Sequence, residues 1–370
     1  MRIACVIHSL VGGGAETLMA GLVNRLAANH DVSLITWSAA ETDPVAIPPT
    51  VERVGLDLLR ESHGIFQAVR NNLGRIKSLA STIRSLEPDV VLSFCDQVNV
   101  ATLIALRQTT IPVVVAEMSD PRFHPMPRLW QPLRSHYYPQ ASAAVAISRA
   151  SLPKVTELFG RPATLIPPAV ETPPKELILK RSEEQWREPT EKCIVTLGRL
   201  STEKRHAWLI EAFDQIAPQF PNWTLEIAGD GPLRSSTESF IHSLQSRSKI
   251  SLAGRVPNAW DFLVRGAIFC SSSAYEGTPV SVLEAMKLGL PVVAIDSDSG
   301  TNDVVKHGQS GYLAENSIDA LAQRLADLMA APEHRAKFSL EAKRIADEYT
   351  WERFTSAYEH LFEKCIAQAN

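Results

Sequence analysis

A chain of 370 residues, 45% hydrophobic and 21% charged, suits a globular protein built from two domains. Its net charge of -4 and pI near 6.2 argue against a general nucleic-acid binder and leave room only for local basic patches. No stretch approaches the ~18 to 20 apolar residues of a spanning helix, so any membrane contact is expected to be peripheral. Cys5, Cys95, Cys193, Cys270 and Cys365 are scattered without metal-ligand spacing, and read as thiols of a reducing compartment.

The first apolar run, Arg2 to His8, reads as a buried strand and not as a signal peptide. Leu10 to Gly14 is a glycine loop that feeds a helix from about Ala15 to Ala28; alone it is a weak signal, since glycines there also serve a tight turn. Strands follow at Val32 to Trp37, Val51 to Leu56, Val90 to Phe94, Val113 to Glu117 and Ala143 to Ile147, with helical patterns between them. That alternation implies a parallel sheet covered on both faces, whose ligands bind beyond the carboxyl ends of the strands. His8, Ser9, Asp96, Gln97, Asn99, Glu117, Ser119 and Asp120 fall at such ends.

Between Ile65 and Leu86 an apolar stripe (Ile65, Val69, Ile76, Leu79, Ala80, Ile83) is bordered by Arg70, Lys77 and Arg84 at heptad spacing. Such an edge suits a diphosphate lipid or an anionic membrane surface, and equally an ordinary packed helix whose basic stems border the core; Gly74 weakens its continuity. From Pro121 to Pro139 the chain is proline-rich, with exposed-looking Phe123, Trp130, Tyr137 and Tyr138 beside Arg122, Arg128 and Arg134. It reads as an acceptor-side or membrane-facing loop, or as an irregular core edge.

Ile166 to Pro174 and the charged run Lys175 to Lys192 mark the boundary. The expected division is 1–168, a linker at 169–191, a second domain at 192–348 and a returning helix at 349–370. Strands are expected at Cys193 to Leu197, Thr224 to Ala228, Ile250 to Leu252, Ile268 to Ser271 and Val292 to Ile295. The second half is thus another doubly wound sheet. In the tail, Trp351, Phe354, Tyr358 and Phe362 are spaced to bury one helical face.

Cys270 to Ile295 organises that second half. Thr278 reads as the cap of a short helix and Pro279 as its first residue, with Glu276 outside it and Glu284 within. Gly289 and Pro291 end the helix, and free N–H groups near Gly277 and Thr278 favour an anion. Two lone glutamates of a buried strand-helix unit would by themselves be unremarkable solvated groups.

The ordered motifs Gly13-Gly14-Ala15-Glu16, Gly198-Arg199-Leu200 with Glu203-Lys204, Ala228-Gly229-Asp230-Gly231-Pro232, Gly254-Arg255-Val256 and Glu276-GTPVSVL-Glu284 resemble the retaining glycosyltransferases of family four. The resemblance covers nearly the whole chain and implies the GT-B fold: α/β, with two Rossmann-like doubly wound parallel-sheet domains facing a cleft and a C-terminal helix strapping back to the first. It implies a nucleotide-diphosphate sugar donor, UDP-linked by expectation, bound by Gly13, Gly14, Arg199, Lys204, Arg255, Val256, Glu276, Gly277, Thr278, Pro279 and Glu284. Arg199 and Lys204 would take the diphosphate, Glu276 the sugar and Glu284 the ribose, with Glu276, Arg199 and Lys204 carrying the chemistry. No cofactor or metal is implied, and Asp296-Ser297-Asp298 reads as a polar loop. One departure stands out, because Met118 occupies the place where many relatives carry a histidine; His124 is a guessed substitute.

Glu117, Ser119, Asp120, Arg70, Lys77 and Arg84 become acceptor-side candidates, the acceptor being a glycan and, by resemblance to bacterial members, a polyisoprenoid-linked one. No nucleic-acid partner is expected, and the location expected is cytoplasmic, at the inner face of the membrane. The rival readings are a GT-B-fold sugar-nucleotide epimerase, which would leave donor mass unchanged, and a non-catalytic nucleotide-sugar-binding module.

Overall fold

The computed structural model describes residues 1–40, 47–58, 65–124, 126–128, 130–179 and 192–369, and for residues 65–70 the helical backbone alone. The chain divides into two compact units, Met1–Ala169 with Trp351–Asn370, and Val170–Thr350. Residues 180–191 of the expected linker lie outside the described residues, while Val170 belongs to the second unit, its N–H donating to the Tyr349 carbonyl at 3.1 Å.

The first unit carries a parallel sheet of β1 (Arg2–Ile7), β2 (Asp31–Thr36), β3 (Glu52–Gly55), β4 (Val90–Phe94), β5 (Val113–Glu117), β6 (Ala143–Ala146) and β7 (Thr164–Leu165). Their order is β3-β2-β1-β4-β5-β6-β7. The last strand is only two residues long and carries no period-two signal, so the sequence did not announce it. Helix Ile65–Leu86 runs unbroken through Gly74, with Leu79 and Ile83 buried against the sheet.

The second unit carries β8 (Lys192–Leu197), β9 (Trp223–Ala228), β10 (Ile250–Gly254), β11 (Ile268–Ser271), β12 (Val292–Ile295) and β13 (Gly311–Ala314) in the order β10-β9-β8-β11-β12-β13, all parallel. Alternation splits its core in two: Ile194, Ile268, Cys270 and Val293 enter one apolar cluster, and Val195, Phe269, Val292 and Ala294 the other. Both faces are thus dry, which is why these strands read as continuous apolar runs. In each sheet the order reverses once, between β1 and β4 in the first and between β8 and β11 in the second. Adjacent loops diverge to opposite faces there and leave a crevice at the carboxyl ends.

The C-terminal helix Trp351–Ala369 belongs to the first unit. Phe354 stacks edge-on against Trp351 and Tyr358, with centroids 5.6 and 5.1 Å away, and Tyr358 meets Phe94 of β4 at 6.1 Å. The Arg25 guanidinium lies 4.2 Å over the Trp351 ring, and His30 pairs with Glu359 at 3.0 Å. Two expectations fail nearby: Trp130 and Tyr138 are buried, not exposed, because the segment around them folds as helix Trp130–Tyr137 against the core.

Phe354→Ala should cost about 3 to 5 kcal/mol, the range for truncating a buried aromatic ring. Urea unfolding followed by near-UV dichroism checks this, and a cost below about 1 kcal/mol would mean that the helix does not anchor the unit.

Candidate functional site

Strands β8, β9, β10 and β11 end in four loops at one edge of the second sheet. After β8, Gly198 donates to Ala228 and Leu200 to Asp230, both at 3.0 Å, so the Arg199 loop is laid on the turn that follows β9. Gly229 has φ +137, and a side chain there would sit 1.9 Å from the Gly198 carbonyl. Only glycine allows this backbone contact. Gly229 in turn donates to Gly254 at 2.7 Å, which ties in the β10 end carrying Arg255 and Val256. Arg199 projects its guanidinium into solvent with no ion pair or hydrogen bond among the described residues.

β11 brings the acidic partner. Lys204 Nζ donates to Glu276 Oε1 at 2.5 Å, and Ser273 Oγ donates to the same oxygen at 2.7 Å. The loop is pinned from the opposite side as well: Ser272 Oγ donates to the Lys204 carbonyl at 2.8 Å and Ala274 N–H to the Glu203 carbonyl at 2.7 Å. The Glu276 N–H donates to Ser299 Oγ at 3.2 Å, while its carbonyl accepts from Gly300 at 3.1 Å. Gly300 lies so close that a side chain would fall 1.6 Å from the Gly277 carbonyl. The helix after β12 therefore backs the Glu276–Thr278 turn directly.

The helix that follows begins one residue later than the sequence suggested. It spans Val280–Lys287, Pro279 is the capping residue at φ -76 and ψ 100, and no side chain caps it. The correction has a physical reason: Pro279 remains extended, and the buried Thr278 lies outside the helix instead of at its cap. Gly289 is left-handed at φ +72, and the next strand starts at Val292.

Glu284, on the second turn of that helix, is partly buried and has no hydrogen bond or ion pair among the described residues. Burial pushes its carboxyl up to about 7. It is an acceptor awaiting donors, such as a pair of hydroxyls. Glu276 is already matched by a cation, so the two carboxylates differ in electrostatic situation.

Gly13 and Gly14 belong to the first unit. Gly13 is extended at φ 174, and Gly14 opens the helix Gly14–Leu26. At the end of β5, Glu117 is almost fully buried. It lies 3.0 Å from the buried Arg134 and accepts the Tyr138 hydroxyl, which in turn accepts from Asn99 at 3.1 Å. Burial raises Glu117 to about 7, against the lowering pull of Arg134 and Tyr138. Asp120, also fully buried, is gripped by Arg122 through Nη2 at 2.8 Å and through its backbone N–H at 2.9 Å.

Both carboxylates are enclosed and bonded, and they flank the partly exposed Ser119. His124 stands 3.7 Å from Asp96. Lys77 and Arg84 are exposed on one helix, while the Arg70 side chain lies outside the described residues.

Sequence reasoning missed Ser273, Ser299 and His206, which hold Glu276 and the Arg199 loop. A run of three serines at the end of β11 was the available signal for the first. Among the described residues no group of three or more His, Cys, Asp or Glu could hold a metal. Asp296 accepts from Asn302 at 2.6 Å. Among the described residues no helix is long and apolar enough to cross a membrane.

Residues 12–173 match the family described as Glycosyltransferase Family 4, and residues 180–345 match Glycosyl transferases group 1. A Campylobacter jejuni relative, named GalNAc-alpha-(1->4)-GalNAc-alpha-(1->3)-diNAcBac-PP-undecaprenol alpha-1,4-N-acetyl-D-galactosaminyltransferase, is 24% identical over 352 residues, 94% of each chain. Among solved structures, a sucrose-phosphate synthase of Thermosynechococcus elongatus superposes with TM-score 0.82 at 16% identity, covering 99% of both chains. An Anabaena protein, HepE, solved with UDP and glucose, gives 0.76 at 21% identity, covering 98% of this chain and 99% of its own.

Because burial raises Glu284, the folded state holds a proton that the unfolded state releases between pH 4.5 and about 7. The sign follows: stability conferred by the protonated group is present below 4.5 and is lost as pH rises through 7. Glu284→Gln should therefore stabilise the unliganded protein above pH 7 by roughly 1 to 3 kcal/mol, with little change near pH 4.5. Denaturant melts at the two pH values check this, and equal effects at both would show that burial does not set the shift.

Proposed function

The chain belongs to glycosyltransferase family four and has the GT-B fold, and on that premise we propose that it is a retaining, metal-independent transferase. It moves a hexose or N-acetylhexosamine from a nucleotide-diphosphate sugar, most simply a UDP-sugar, to a hydroxyl of a lipid-linked glycan. The single observation that supports this best is the constellation at the β8–β11 switch point: a free Arg199, the Lys204–Glu276–Ser273 knot and the unpartnered Glu284.

Each group has a chemical task in that reading. The donor loses a diphosphate, so charge grows on the leaving oxygen as the glycosidic bond breaks, and fixed cations stabilise that charge. Arg199 offers a planar fork and Lys204 a point charge. In the free protein Lys204 is neutralised by Glu276, and an arriving diphosphate competes for it. Glu276 then accepts hydrogen bonds from sugar hydroxyls, still oriented by Ser273 and by its Ser299-bound backbone.

Glu284 accepts from the ribose hydroxyls, which act as donors toward a carboxylate lacking partners. With retention, the leaving phosphate takes the acceptor proton on the face where the new bond forms, so no separate carboxylate base is needed. Arg255 and Val256 supply backbone groups to the donor, as do Gly277, Thr278 and Pro279.

Ser119, and the exposed Lys77 and Arg84 with Arg70 on the same helix, suit a glycan carried on a polyisoprenoid diphosphate. The similarity to the C. jejuni enzyme, whose name includes an undecaprenol-linked glycan, points the same way. Action at the inner face of the membrane follows from such an acceptor. An epimerase would be favoured only by turnover of donor without change of mass.

Mass analysis of products from a screen of nucleotide sugars with a bacterial lipid extract tests the reading. Transfer with release of nucleoside diphosphate, unchanged by EDTA, is expected; reversible loss on chelation would refute the metal-free mechanism. Glu284→Ala should raise the donor KM by roughly tenfold or more, whereas Glu276→Ala should chiefly lower kcat, and the reverse pattern would overturn the division of labour. Nucleotide affinity should fall as pH drops below about 7, where Glu284 takes up a proton.

Replacing Arg70, Lys77 and Arg84 together by Ala should raise the KM for a lipid-linked acceptor and leave donor binding unchanged. Unaltered transfer to that acceptor would remove those cations from the site.

A further inference from the structure

We infer that His206 is a positioning residue for donor binding, holding the Gly198–Lys204 loop so that Arg199 and Lys204 meet the diphosphate. The inference rests on the reading that those two cations are the diphosphate ligands.

His206 is the first residue of helix His206–Ile216 and is 5% exposed. The residue before it, Arg205, is left-handed at φ +48. That turn folds the helix start back beneath the loop it follows: a side chain at Gly198 would stand 3.9 Å from the imidazole Cε1 and 3.7 Å from Lys204 Cδ. The imidazole Nε2 lies 3.2 Å from the Arg199 carbonyl oxygen. A carbonyl only accepts, so Nε2 carries the proton and donates. Nδ1 is buried without a hydrogen-bond partner among the described residues.

The ring is neutral at ordinary pH. Burial, and the positive charge of Lys204, push it down to about 4, against the raising effect of its backbone contacts and of Glu203. Neutrality suits the task, because an imidazolium here would repel the ammonium that it helps to place. The Arg199 carbonyl also receives the Ser201 N–H at 2.9 Å. One carbonyl is thus gripped by the loop itself and by the helix beneath, at the residue whose guanidinium is otherwise free. Fixing the backbone of a long, exposed arginine lowers the ordering cost that ligand binding must meet.

The test compares three variants with wild type: His206→Leu fills the space without an N–H, His206→Gln places an amide N–H near the position of Nε2, and His206→Asn places one short of it. The readouts are calorimetric affinity for UDP, or for GDP if the wild-type chain prefers it, together with melting temperature and separate KM values for donor and acceptor. Loss of the supporting contact should weaken nucleotide affinity and raise donor KM about tenfold in the Leu and Asn variants, with acceptor KM unchanged and Gln restoring most of the loss. Equal binding by Gln and Asn, or donor and acceptor KM values rising together in step with the loss of melting temperature, would overturn the inference. If the Leu variant does not fold, the Gln and Asn pair carries the comparison alone.

Arg199→Ala is the control for the underlying reading. Unchanged nucleotide affinity in that variant would mean that the reading itself fails. Weakened affinity in Arg199→Ala with unchanged affinity in the His206 variants would sink the positioning role alone.

Discussion

The Lys204–Glu276 ion pair is the contact that ties together the loops at the carboxyl edge of the second unit's sheet. Its partners are 72 residues apart, and they meet because β8 and β11 are neighbours at the point where strand order reverses. The pair is partly open to solvent, so its value lies less in stability than in preorganisation. The carboxylate is held by an ammonium and a serine hydroxyl, and the lysine backbone by Ser272, so neither group is free to drift.

Around that pair the loops are locked by backbone contact more than by side chains. Gly229 against the Gly198 carbonyl and Gly300 against the Gly277 carbonyl bring separate loops to distances that any Cβ would prevent. The dry, two-faced sheet behind them, with its alternating clusters, supplies the rigidity. Glu284 has no hydrogen bond or ion pair among the described residues, and burying such a carboxylate is unfavourable for folding at neutral pH. The first unit shows the opposite solution at Glu117, where Tyr138 and Arg134 satisfy the buried carboxylate and convert it into a support for the adjacent loop.

Most of the architecture was legible because parallel strands covered on both sides are apolar, and eleven strand runs stood out between turn signals. β7 and β13 were not legible. Two residues of β7 carry no pattern, and the four-residue edge strand Gly311–Ala314, with buried ends and a partly exposed middle, lacks the period-two alternation of a strand. The start of the Glu276–Glu284 helix slipped by one residue because Thr278 satisfies the local rule for a cap, while Pro279, held extended, took that place. Trp130 and Tyr138 were misjudged for a related reason: a proline-rich stretch suggests exposure, and only the packing of its short helix on the core reverses that.

By itself the sequence determined the residue types of the site, their order and the spacing that puts one glutamate on a turn and the next inside a helix. These are local properties, set by the intrinsic conformational preferences of glycine, proline and short apolar runs. Only the tertiary structure decided which charges meet. The β8–β11 pairing chose Glu276 for Lys204, folding enclosed the Glu117 and Asp120 carboxylates with partners of their own, and the left-handed turn at Arg205 brought His206 under the Arg199 carbonyl. Such outcomes depend on contacts between distant segments, and no local pattern in the chain records them.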